Sequence, residues 1–296
     1  MFRGYISVTA KQRTAATVSF VGISALLAGW RTAVIIKNIE KIRENDNAYY
    51  LKDALGVKLF TAAAVIVALA AIALAVISGR KSRYVFNGDH IGSSVTSLIC
   101  AFTLVAQFAV FMVMYFKGQI APAKMEIPVY AFALVAGLVY FLRFGIKSGK
   151  QSVHNPNILA LSALAPTAYC ALRLLNDFVE TNAAPMESSG AYHILSLSVL
   201  MLFFLTDGKS LVRNVAPARF LSLGYVSAML LLVYSVPNLI LYGIGVFNLD
   251  FSSSLIGSVT DITLAAYVFS RVASFRPEAV APAEGTAAEN AEAGEE

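Results

Sequence analysis

Leu59 to Ile77 runs for nineteen residues without a charge, built almost wholly from Ala, Val, Leu and Ile. As a helix it would be about 28 Å long, close to the roughly 30 Å of a bilayer's hydrocarbon core. No other feature restricts the fold so strongly, because a run of this length and polarity suits lipid. Seven further apolar runs accompany it: Thr14–Ile36, Ile91–Phe116, Ile127–Leu142, Ile158–Val179, Ala191–Thr206, Phe220–Val246 and Phe251–Ser270. In lipid the backbone must satisfy its own hydrogen bonds, which a helix does within one segment. The expected fold is therefore all-α: a polytopic membrane bundle of about eight transmembrane helices over residues 1–271, with the lipid bilayer as its surroundings. The runs at 127–142 and 191–206 are short for a crossing.

Charged residues make up 14% of the chain, against about 25% in an ordinary soluble domain, and the mean hydropathy is +0.67. The net charge of +5 conceals a split. Residues 277–296 hold six glutamates and no Lys or Arg, which leaves +11 on the rest. Residues 272–296, rich in Ala, Glu, Pro and Gly, are expected to form a disordered acidic tail. The excess of basic residues is spread over short loops, which points to topology rather than to nucleic-acid binding. Eight crossings divide the Lys and Arg residues fourteen to eight in favour of the side holding both termini. The bias predicts a multi-pass protein of the cell membrane with both termini cytoplasmic. A cleaved signal peptide is disfavoured, because the first apolar run continues past Arg31 to Ile36. Beyond it, Ile35, Ile36, Ile39 and Ile42 keep helical spacing and predict that the helix runs on.

Several chemistries lack their residues. Cys100 and Cys170 lie inside apolar runs and suggest neither a disulfide framework nor a metal site. His90, His154 and His193 fall in loops or at span ends, away from where haem ligands would sit. No lysine lies well inside a later span for a Schiff base, and neither H-E-x-x-H nor G-x-S-x-G occurs. No cofactor, metal or catalytic activity is expected.

What remains is a set of polar groups inside the spans. Leu161 to Glu180 places Pro166, Tyr169, Arg173, Asp177 and Glu180 on one helical face. Arg173 and Asp177 are spaced to pair with each other. Asp261 lies near the centre of its span with no basic residue nearby in sequence, so Arg31 and Arg173 are its candidate partners, protonation being the alternative. Ser93, Thr96, Ser97, Cys100, Thr103 and Gln107 form a mildly polar stripe. Tyr234, Asn238 and Tyr242 recur at four-residue spacing around Pro237, which frees a backbone carbonyl one turn earlier. On the expected topology Arg31, Gln107, Arg173, Asp177 and Asn238 occupy the outer halves of their spans.

Arg31, Gln107, Arg173, Asp177, Tyr234, Asn238 and Asp261 are thus the candidate residues of an outward-facing site for a small solute or ion, with Arg173 as anchor for an anionic group. A transporter or permease is the function this implies. The plainer explanation is interhelical glue, with both arginines snorkelling to the interface, in a non-transporting sensor or assembly subunit. Weak echoes between the halves, such as Tyr140 before Arg143 and Tyr267 before Arg271, raise a four-plus-four repeat.

Overall fold

The computed structural model describes residues 10–38, 55–79, 83–85, 91–117, 126–147, 156–183, 188–210, 215–244, 255–274 and 276–278. They form α1 (Ala10–Lys37), α2 (Leu55–Gly79), β1 (Arg83–Val85), α3 (Ile91–Phe116), α4 (Glu126–Lys147) and α5 (Pro156–Ser162). These are followed by α6 (Leu164–Ala183), α7 (Ser188–Ser210), α8 (Pro217–Gly243), α9 (Leu255–Ala273) and β2 (Arg276–Glu278). The tail from 279 onward and the continuation of α1 past residue 38 lie outside the described residues.

Seven of these helices (α1 to α4 and α7 to α9) are long and apolar enough to cross a membrane. Large apolar side chains turn outward, among them Leu26, Ile66, Phe102 and Phe132, each at least 65% exposed. Inside lie Asp207, Asp261, Arg173 and Arg271, all nearly inaccessible. Water would reward the reverse arrangement and lipid rewards this one, so the chain is an integral membrane protein.

Both short runs are longer as helices than as apolar stretches. Arg143 and Lys147 continue α4 to 22 residues, and Asp207 and Lys209 continue α7 to 23. The fifth run, expected as one helix, is divided. Pro166 has no N–H, and its ring crowds the carbonyl four residues back, which is that of Ser162. α5 ends at Ser162, and α6 starts at Leu164 with Pro166 in its first turn, where proline is tolerated.

α6 nevertheless crosses the bundle. It is antiparallel to α7: Ala163, at its start, touches Gly208 near the end of α7, while Arg173 meets His193 near the beginning of α7. Its charges, rather than its path, lower its hydropathy. The pairing of β1 with β2 demands the same parity. The chain leaves that end of the bundle after α2 and returns to it after α9, so it makes an even number of crossings between. α3, α4, α7, α8 and α9 supply five, and α5–α6 supplies the sixth. Below, the clasp end is where β1 and β2 pair, and the far end is opposite.

α8 is the central helix and packs on α1, α2, α7 and α9. Contact with α9 is close at Gly224, where an added Cβ would lie 2.4 Å from Val272 Cγ2 and 3.2 Å from Phe203. α3 carries the expected polar stripe, and its role is helix pairing. Ser97 Oγ donates to the Phe141 carbonyl of α4 (2.7 Å), and Thr103 meets Thr263 of α9 (3.0 Å). Ser94 likewise bonds the Gly145 carbonyl.

Candidate functional site: two buried charge clusters

In the far half, Arg173 of α6 reaches Asp261 of α9. Nη1 lies 2.5 Å from Oδ1 and Nη2 3.2 Å from Oδ2, a bidentate pair. Neither residue is more than 3% exposed. Two carboxylate oxygens facing two guanidinium nitrogens is the arrangement of an ionised pair, and it is among the strongest such contacts. Snorkelling does not describe Arg173, because its head stays within the bundle. Asp261 Oδ2 also accepts from Ser235 Oγ of α8 (3.3 Å) and lies 3.2 Å from His193 Nε2 of α7. The same nitrogen is 3.1 Å from Arg173 Nη2, so it either accepts from arginine or donates to aspartate, according to tautomer.

The network extends both ways. Arg173 donates to Tyr169 Oη (3.2 Å), whose hydroxyl donates to Gln107 Oε1 (2.8 Å), and Gln107 Nε2 donates to Tyr130 Oη (3.0 Å). In the other direction the His193 ring stacks on Tyr234, with centroids 4.1 Å apart and planes 17° apart. Beyond Tyr234 lies Arg31 of α1. Its Nη1 donates to the Val233 carbonyl (2.8 Å), and its guanidinium carbon is 4.8 Å from the Tyr192 ring and 6.0 Å from the Tyr234 ring. Val233 is four residues before Pro237, so this is the carbonyl that proline deprives of its helical N–H.

Arg31, Tyr234, Asp261, Arg173 and Gln107 therefore form one belt across the bundle. Arg31 does not pair with Asp261, although sequence allowed it. Among the described residues no carboxylate is in ion-pair range of Arg31, and its other N–H groups bond none of them. Asn238 is buried one turn beyond Tyr234 on α8 and makes no hydrogen bond with a described residue. The Asp177 side chain lies outside the described residues, and the partner that Arg173 takes is Asp261.

A second cluster lies nearer the clasp end, and sequence did not single it out. Arg271 of α9 donates from Nη2 (2.5 Å) and Nε (3.1 Å) to Asp207 Oδ1 of α7. Tyr140 of α4 and Tyr267 of α9 both donate to Asp207 Oδ2 at 3.2 Å, and their hydroxyls are 3.1 Å apart. The Arg271 guanidinium also lies over the Phe144 ring at 4.9 Å. Arg271 lies just past the apolar run Phe251–Ser270, where a basic residue ordinarily meets headgroups and water. It is instead a buried ion-pair partner, because α9 continues to Ala273 and turns the side chain inward. The boundary expected between residues 271 and 272 falls inside this helix. The paired echo of Tyr140 and Tyr267 brings both hydroxyls to one carboxylate.

Asp261 and Arg271 are ten residues apart on α9, about 15 Å at 1.5 Å per residue. One helix thus holds both ion pairs, one in each half of the bundle. Fold and buried charges together define a polytopic helical membrane protein whose polar groups are turned inward. No protein-family model, curated protein or solved structure matches the chain.

Proposed function

We propose that this protein binds a small anionic solute in the far half of the bundle and passes it across the membrane, with Arg31 holding the anionic group. The supporting observation is a charge imbalance. The belt holds two arginines, Arg31 and Arg173, against one described carboxylate, Asp261. Asp261 is engaged by Arg173, so among the described residues the cation left without a carboxylate is Arg31. A buried cation without a counterion costs several kcal/mol in a bilayer, and an incoming anion removes much of that cost. The walls suit the purpose. Tyr192 and Tyr234 flank the guanidinium, and the amide of Asn238 offers a second donor on the Tyr234 face. The anchor thus moves from Arg173 to Arg31, and Arg173 becomes the group that holds Asp261 in place. No catalytic step belongs to this reading. The basic clasp end faces the cytoplasm of a cell-membrane protein, with both termini there, in keeping with the Lys and Arg bias.

The test uses protein reconstituted in liposomes, with chloride, sulfate, phosphate and small carboxylates as probes. At least one should raise the unfolding temperature and move across the membrane. Arg31→Gln should weaken both effects tenfold or more. An Arg31→Gln protein with unchanged anion dependence would sink the proposal.

A second function, a non-transporting sensor or assembly subunit, draws support from the completeness of the Arg173–Asp261–His193 network, in which no buried side-chain nitrogen or oxygen lacks a partner. It predicts no anion flux and a stable complex with another membrane protein.

A further inference from the structure

At the clasp end a cavity of about 660 Å³ opens between α5, the start of α6, the end of α7 and the start of α8. Its composition is divided. Leu161, Leu164 and Leu205 supply apolar wall over the buried ring of Phe204. Lys209 and Arg219 also line it, both exposed, Lys209 one turn after Leu205 on α7. Neither basic side chain pairs with a described residue, and no acidic residue is among the described lining. The floor depends on a close approach: a Cβ on Gly208 would lie 2.8 Å from Ala163 Cβ and 3.2 Å from the Ala160 carbonyl. Its lining spans the break between α5 and α6, with Asn157, Ala160 and Leu161 before it and Leu164 after it.

We infer that this cavity is a binding site for an anionic phospholipid of the leaflet at the clasp end, with the phosphodiester between Lys209 and Arg219 and an acyl chain along Leu161 and Leu164. Charge and position both favour this occupant. Two cations and no carboxylate among the described lining favour a negative headgroup. Leu161 and Leu164 are 67% and 50% exposed on a surface that faces lipid, so a chain lying on them removes apolar groove that a free anion would leave uncovered. Basic pockets between transmembrane helices at a charged leaflet recognise headgroups in this manner. The site is independent of the Arg31 belt, which lies in the other half of the bundle.

The experiment is native mass spectrometry of the full-length protein in detergent, with phosphatidylglycerol or phosphatidylcholine of equal chain length added. Wild type should retain phosphatidylglycerol roughly ten- to thirtyfold more strongly, given two basic contacts. Lys209→Gln with Arg219→Gln should remove that preference, and both positions are exposed, so folding should survive. Leu161→Ser with Leu164→Ser should weaken retention of both lipids while keeping the preference. Equal retention of the two lipids by wild type would overturn the proposal, as would a preference that survives loss of both charges. Displacement of phosphatidylglycerol by millimolar inorganic phosphate would show a free-anion site instead. A preference seen only after the glutamates of 279–296 are changed to Gln would assign the cavity to the chain's own acidic tail.

Discussion

Arg31 donates to the Val233 carbonyl, the one acceptor in α8 that Pro237 strips of its helical partner. A helix interior with proline loses a hydrogen bond, and a charged donor from a neighbouring helix replaces it. Pro237→Ala should return the N–H and make Arg31 redundant in this role. The effect of Arg31→Gln should be about 1.5–3 kcal/mol more destabilising in the wild-type background than with Pro237→Ala, the difference being the hydrogen bond to the Val233 carbonyl. Thermal unfolding of the four proteins in detergent gives the coupling. Equal costs in both backgrounds would separate the arginine from the proline.

Removing one partner of the Arg173–Asp261 pair leaves the other as an uncompensated buried charge. Asp261→Asn and Arg173→Gln should each destabilise by about 3–5 kcal/mol. The double variant should lose much less than their sum, because neither charge remains. A double-mutant cycle by denaturant unfolding measures this, and strict additivity would mean that the two do not act as a pair.

In the Asp207 cluster the carboxylate is bound by one arginine and two tyrosine hydroxyls, so charged and neutral donors can be ranked against each other. Tyr140→Phe or Tyr267→Phe removes one neutral donor and should cost about 1 kcal/mol each. Asp207→Asn strands Arg271 and should cost several times more. Resistance to proteolysis in membranes, compared across the three variants, checks the ranking.

Gly224 marks where α8 approaches α9 most closely. Gly224→Ala puts a methyl into Val272 and should cost about 1–3 kcal/mol. Val272→Ala in the same protein should restore a good part of it, because the clash is with Val272 Cγ2 at 2.4 Å. An unrescued loss in the melting temperature would mean that the backbone, rather than this side chain, is at fault.

The bundle was legible from the chain alone, and so were the five belt residues as polar groups inside spans, though not the partners they take. Arg173 and Asp261 stood out because a charge inside an apolar run has no local explanation. Pro237 announced a freed carbonyl, whereas the division of the fifth run just ahead of Pro166 departs from the single helix expected there. Asp207, Arg271 and His193 were hidden by position. They lie at the ends of apolar runs, where polar residues ordinarily meet headgroups and water. Only the continuation of α7 and α9 past those ends, which packing decides, shows that their side chains turn inward. Which partner each charge takes was likewise invisible, because Arg31 and Arg173 were equal candidates for Asp261 until helix positions separated them.

Eighty-eight residues separate Arg173 from Asp261. At the roughly 5–20 residues per second of protein synthesis, α6 waits about 4–18 s before the carboxylate that neutralises its arginine has been made. Asp207 waits 64 residues for Arg271. α6 and α7 therefore enter the membrane before the ion-pair partners of Arg173 and Asp207 exist, and both are completed by the same late helix. α9 is the closing piece of assembly, and a chain cut short before it would leave two ions exposed, a visible mark for the machinery that removes unfinished membrane proteins.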